Sequence, residues 1–260
     1  MFSRRLCLGI LLCCTIPTAA FPQSDYPNRP VRIVVGFGPG SAADLTARTL
    51  AQYLSPALGQ QFVVENKPGG GSTVAAEQVA RADKDGYTLF IGTAANVING
   101  VLQPNLPFDF AKDFAPIVYT TSSPNILVAH PSTKVSNVKE LIALLKSKPE
   151  QIFYGSSGVG TSPHLSGELF NQMAGIKLVH VPYPGSGQAV TDLLANRVQV
   201  MFSPAPTVLQ HVDKGALRAL ASSQLKRTAA APQLPTMDEA ALKGFDTGLW
   251  FGLLAPAGTP

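Results

Sequence analysis

Cysteine is nearly absent from this 260-residue chain, and where it occurs matters more than how often: Cys7, Cys13 and Cys14 all fall within the first 14 residues. Those residues read as a secretory leader. Arg4 and Arg5 form a basic head, Leu6 to Ile16 an apolar stretch, and Thr18-Ala19-Ala20 a small-residue cleavage site. Cleavage near residue 20 leaves a chain with no cysteine, which excludes disulfides, a thiolate nucleophile and a cysteine-based metal site. Leu12 before Cys13 is wrong for a lipoprotein signal, which needs a small residue there. One-sided charge is also lacking. Twenty Lys and Arg face sixteen Asp and Glu, and loss of Arg4 and Arg5 lowers the net charge from +4 to +2 because residues 1–20 carry no acid. That balance gives no support for nucleic acid as a partner. Past the leader no apolar run is long enough to span a bilayer. An exported, cysteine-free chain of this length suits a bacterial periplasm.

Several catalytic signatures are missing as well. There is no Gly-Lys-Ser/Thr, so the Walker pattern fails. Gly155-Ser156-Ser157-Gly158 has the wrong spacing for a hydrolase elbow. His130, His164, His180 and His211 show no metal-ligand spacing with each other or with an acid. Gly36-x-Gly38-x-Gly40 departs from the dinucleotide fingerprint at Ser41, although Glu65 ends the next strand where a ribose-binding acid would sit.

What the chain does have is glycine and serine at strand-to-helix turns. Val31 to Val35 predicts a buried strand, followed by Gly36-Phe37-Gly38-Pro39-Gly40-Ser41-Ala42-Ala43-Asp44 and a helix over 42–58 closed by Gly59. Ile152 to Tyr154 predicts another strand, followed by Gly155-Ser156-Ser157-Gly158-Val159-Gly160-Thr161-Ser162-Pro163 and a helix from His164 to Met173. Such a loop presents free backbone N–H groups at the positive end of a helix dipole, an anion-binding arrangement. Two of them predict two lobes facing one anionic ligand. Tyr183-Pro184-Gly185-Ser186-Gly187 is a third such turn, and Thr93-Ala94-Ala95-Asn96 follows a strand's carboxyl end, where open α/β sheets bind ligands. Asp44 reads either as compensation of its helix dipole or as a pocket residue, and Arg48 stands one turn away to pair with it. His164 at a helix start reads as a cap, a ligand contact or an exposed side chain.

The remaining pattern continues the alternation: strands at 62–65, 87–91, 117–119, 126–129, 177–181, 198–202, 217–221 and 251–254, and helices at 73–81, 138–146, 188–195 and 207–212. The leading β-α-β-α-β series predicts a parallel sheet. Ser122-Ser123-Pro124 reads as a break between two short strands where the chain crosses into a second lobe.

These stretches resemble the Bug (Bordetella uptake gene) family, the substrate-binding receptors of tripartite tricarboxylate transporters. The resemblance is carried by Tyr26-Pro27-Asn28-Arg29-Pro30-Val31-Arg32-Ile33-Val34-Val35, Val64-Glu65-Asn66-Lys67-Pro68-Gly69-Gly70-Gly71, Asp85-Gly86-Tyr87-Thr88-Leu89, Tyr154 to Gly160 with His164-Leu165 and Glu168, and Val181 to Gly187. It implies an α/β periplasmic binding protein, type II-like, of two lobes joined by two crossing strands. Residues 21–119 and 220–260 would form the first lobe and 120–219 the second. It further implies a pincer closing on a small carboxylate, a dicarboxylate or tricarboxylate, aromatic acid or acidic amino acid. The pincer would comprise Phe37, Gly38, Gly40, Ser41, Ala42 and Asp44 on one side. On the other would be Ser156, Ser157, Gly158, Val159, Gly160, Thr161 and Ser162. Thr93, Asn96, Tyr183 and Gly185 would border the rest of the ligand. No cofactor, metal or catalytic residue is implied. The partners would be membrane permease subunits.

There are departures from the family pattern. Gly36 stands where proline is usual, and Ser41 where a second glycine is usual, which would strain Ser41 if φ there were positive. Family members also run on past Leu253-Leu254-Ala255-Pro256-Ala257-Gly258-Thr259-Pro260, so the first lobe is expected to be truncated at its C-terminus. Two other functions use the same residues: a nucleotide-dependent α/β enzyme built on Gly36 to Gly40, and a ligand sensor reporting to a membrane kinase.

Overall fold

The apolar run Val31–Val35 is β1 of the computed structural model, which describes residues 26–260; the leader at 1–20, with all three cysteines, lies outside the described residues. Four of its five side chains are buried, as a strand covered on both faces requires. β1 leads into α1 (Ala42–Leu58), then β2 (Phe62–Asn66), α2 (Thr73–Ala80), β3 (Thr88–Thr93) and α3 (Ala94–Leu102). β2 and β3 flank β1 in parallel, as the βαβ pattern predicts. Ser41 caps α1 in extended backbone, φ −72°, and accepts from the Asp44 N–H. The positive φ of this loop falls one residue earlier, on Gly40 at +73°, so Ser41 carries no strain. Gly36 is required by its neighbour: a methyl group there would lie 1.9 Å from the Ser72 hydroxyl oxygen.

The expected break at Ser122-Ser123-Pro124 is not a break. Residues Phe114–Ala129 form one strand, β4. Its first part, to Pro124, pairs with the last strand, and Asn125 to Ala129 pairs with two later ones. Pro116 sits at one of two register shifts and Pro124 where the partner strands change, positions at which a missing ladder donor costs least. After β4 come α4 (Val138–Ser147), β5 (Phe153–Ser156), α5 (Ser162–Ala174), β6 (Val179–Pro182) and α6 (Ser186–Leu194). Next are β7 (Val200–Pro204), α7 (Ala205–Asp213), β8 (Arg218–Ser222), α8 (Met237–Ala240) and β9 (Gly248–Pro256).

The strand order is β2-β1-β3-β9-β4-β7-β5-β6, with β8 also on β4. The sheet as a whole is mixed. β1, β2 and β3 are parallel, as are β5, β6 and β7, but β9 and β4 run antiparallel between the two groups. Hydrophobic side chains bury on both faces of each group. Ile33, Ile91 and Leu253 pack against α1, while Val34, Phe90 and Leu254 pack against α2. In the other group Leu127, Tyr154, Phe170 and Phe202 share one core, and Ile126, Met201, Leu193 and Val208 another. The result is a two-lobed α/β architecture, with β4 and β9 as the crossing strands. Among the described residues no helix is long and apolar enough to cross a membrane.

Candidate functional site

Five helices begin at one cavity. Its wall comprises the first turns of α1 (Ser41, Ala42, Ala43), α3 (Thr93, Ala94, Ala95) and α5 (Thr161, Ser162, Pro163), with Ser186 of α6 and Pro204 ahead of α7. Phe37, Ser157, Leu249 and Phe251 complete it. None of these lining residues bears a charge. First-turn N–H groups have no intrahelical partner, and each helix brings a partial positive charge to its N-terminus. An anion is thus met by main-chain dipoles and Ser/Thr hydroxyls, and a cation meets no carboxylate.

The residues singled out from the sequence divide into two layers. Phe37, Ser41, Ala42, Thr93, Ser157, Thr161 and Ser162 line the cavity. The others lie behind or beside it. Gly38 donates its N–H to the Pro184 carbonyl at 3.1 Å. Gly40 donates its N–H to Asp44 Oδ2 at 3.0 Å, and the buried Asp44 carboxylate also accepts from Arg48 Nε and Asn66 Nδ2. Asn96 closes a capping box with Thr93 and donates to the Ser72 carbonyl. Ser156 is buried with its Oγ 2.6 Å from His180 Nε2, and the Gly158 N–H is spent on that same oxygen. Gly160 donates to His164 Nδ1 at 3.2 Å, so His164 faces the loop's own backbone. Tyr183 donates its hydroxyl to Asp192, and its carbonyl lies close to Gly158. Gly185 packs on Gly38, and Val159 is half exposed beside a neighbouring groove.

Ala43, Ala94, Ala95, Pro163, Ser186, Pro204, Leu249 and Phe251 are lining residues that the sequence did not single out one by one. A capping signal was available for α3, since Thr93 and Asn96 have the Ser/Thr-x-x-polar spacing of a helix start. Leu249 and Phe251 had none, because only the pairing of β9 with β3 and β4 brings them to the cleft.

A sequence profile of the tripartite tricarboxylate transporter family receptor matches residues 46–260. Solved structures agree. The periplasmic binding protein BugD is 37% identical, with a TM-score of 0.87 over 90% of this chain and 79% of that one. An R. palustris protein solved with adipate is 38% identical, with a TM-score of 0.87 over 91% of this chain and 79% of that one. MatC of Rhodopseudomonas palustris, solved with bound malate, is 31% identical, with a TM-score of 0.85 over 90% and 80%. This chain belongs to the tripartite tricarboxylate transporter receptor family, whose members are periplasmic solute-binding proteins and not enzymes.

Proposed function

We propose that this protein captures a small carboxylate, a dicarboxylate in the first place, in the cleft between its lobes. It would deliver that acid to the membrane subunits of a tripartite tricarboxylate-type transporter. The observation that carries the reading is the convergence of five helix N-termini on a cavity with no charged side chain. The cleft is narrow and its wall is built mostly of small, uncharged residues, which suits a small acid better than a nucleotide. Similar proteins solved with adipate and with malate support the same class. The lobes that close on the acid would be residues 21–119 with 220–260, and residues 120–219. Export by the leader would place the receptor in the periplasm.

A thermal-shift screen of malate, adipate, citrate, benzoate, glutamate and putrescine tests this. A bound acid at about 100-fold excess over its Kd should add ~2.7 kcal/mol and raise Tm visibly. Stabilisation by putrescine alone would reject the reading. Transporter delivery is tested separately, by uptake into vesicles that hold the permease subunits with and without the loaded receptor.

A further inference from the structure

The turn Gly158-Val159-Gly160 is closed by one backbone hydrogen bond, from the Thr161 N–H to the Gly158 carbonyl at 3.3 Å, and is held from behind by side chains. Ser156 Oγ accepts from the Gly158 N–H at 3.1 Å and lies 2.6 Å from His180 Nε2. Thr161 Oγ1 donates to the Gly158 carbonyl at 2.6 Å. His164 Nδ1 accepts from the Gly160 N–H at 3.2 Å. The two imidazoles stack on each other at 4.2 Å with 27° between planes, and the Tyr154 ring stacks on the far side of His180 at 4.8 Å. The same turn is what the first lobe meets. A methyl on Gly160 would lie 2.2 Å from Asn99 Oδ1, and one on Gly71 2.5 Å from the Val159 carbonyl.

We propose that His164 and His180 are positioning residues, a neutral stacked pair that fixes this turn in the form that meets both the ligand and the first lobe. The claim rests on the carboxylate-receptor reading for its ligand but not for its chemistry. An Nδ1 that accepts from the Gly160 N–H must carry a lone pair, so His164 works only unprotonated. A proton there sets N–H against N–H. Two imidazolium rings at 4.2 Å would also repel each other. Besides one another, the titratable groups facing the pair are Glu168 on α5 and the Tyr154 hydroxyl on β5, which donates to Glu168 at 2.5 Å. Burial lowers the pKa of His164 against an opposing pull from Glu168. Burial, and then the His164 ring, push His180 down to about 4. The held turn therefore binds protons more weakly than a released one, and acid favours release between the ordinary histidine value near ~6.5 and about 4.

The test has two arms on the full chain, each run where circular dichroism shows it folded. In the first, amide exchange at Gly158 and Gly160 is followed without ligand from about pH 7.5 to about pH 4.5, in wild type and in His164→Asn, whose Oδ1 keeps the acceptor and takes no charge. Protection at Gly160 should fall with pH in wild type and stay level in the variant. Level protection in wild type, or an equal fall in both, overturns the proposal. In the second arm calorimetry measures malate and adipate affinity. Wild type should weaken at least about fivefold between about pH 7.5 and about pH 5, and His164→Asn by less than about twofold, ionisation of the acid being common to both. Equal weakening also overturns the proposal. If neither acid binds at about pH 7.5, the receptor reading for those acids fails, while the exchange arm still judges the histidines.

Discussion

The Gly38 N–H donates to the Pro184 carbonyl at 3.1 Å, a main-chain hydrogen bond that joins the β1–α1 loop of one lobe to the β6–α6 loop of the other. The loops come this close because neither carries bulk. An alanine methyl at position 185 would lie 3.1 Å from the Gly38 nitrogen, and one at 187 would lie 2.9 Å from the Pro39 carbonyl oxygen. Closure of this cleft is an approach of backbone to backbone.

Gly187→Ala should therefore separate closure from folding. Position 187 is helical and has ordinary φ, so alanine favours α6 by roughly 0.5–1 kcal/mol. Its methyl meets the Pro39 and Gly40 backbone, which has no rotamer by which to give way. Urea midpoints should be equal to wild type or slightly higher, while ligand affinity falls about tenfold or more, on the scale of ~1.4 kcal/mol per decade. Unchanged affinity in calorimetry would show that binding does not need the two loops in contact.

Asp44 is a prop of the first loop rather than part of the cavity wall. Its carboxylate takes hydrogen bonds from the Gly40 N–H, Arg48 Nε and Asn66 Nδ2 while 2% exposed. Asp44→Ala leaves those donors behind and should cost about 2–4 kcal/mol, or roughly 5–10 °C in Tm. Burial pushes the carboxyl's pKa up, but the hydrogen bonds from Arg48, Asn66 and Gly40 outweigh it and hold the group below its ordinary value. The folded state thus binds this proton more weakly than the unfolded chain. The stabilisation is present above the ordinary carboxylate value near ~3.9 and is lost as pH falls through the folded one. Urea midpoints of wild type and Asp44→Asn should differ at about pH 7, and the gap should narrow as pH falls below about 4. A gap that does not narrow in acid contradicts this role.

The strand–glycine loop–helix units were legible because local chemistry dictates them. A continuous apolar run such as Val31–Val35 has few structures open to it, and glycine before Ser41-Ala42 marks a helix start. Pairing was less legible. Nothing local in Leu249-Trp250-Phe251 says that this strand inserts antiparallel between β3 and β4, yet the insertion carries Leu249 and Phe251 to the cavity. Ser122-Ser123-Pro124 has turn composition, and tertiary pairing with β9 overrides it. The place of His180 beside Ser156 was hidden for the same reason. Only the register of β6 beside β5, where His180 pairs with Tyr154, brings its ring to Ser156.

A last consequence concerns Gly167, in the middle of α5. Helix interiors ordinarily gain roughly 0.5–1 kcal/mol when glycine becomes alanine. Here a methyl would lie 2.3 Å from Tyr154 Cε2 and 2.6 Å from Cζ, in a ring that is fully buried. That ring cannot swing aside freely: it stacks on His180, and its hydroxyl is held by Glu168. Overpacking of this kind costs about 1–3 kcal/mol, more than the helix gains. Gly167→Ala should lower the urea-derived stability by about 1–2 kcal/mol. If the clash is the cause, shrinking the partner should remove it. The double variant with Tyr154→Leu should then be more stable than the two single losses added together, by about 1 kcal/mol or more, as expected of residues in contact. Additive losses, or a Gly167→Ala protein as stable as wild type, would show that α5 shifts away from β5 at little cost.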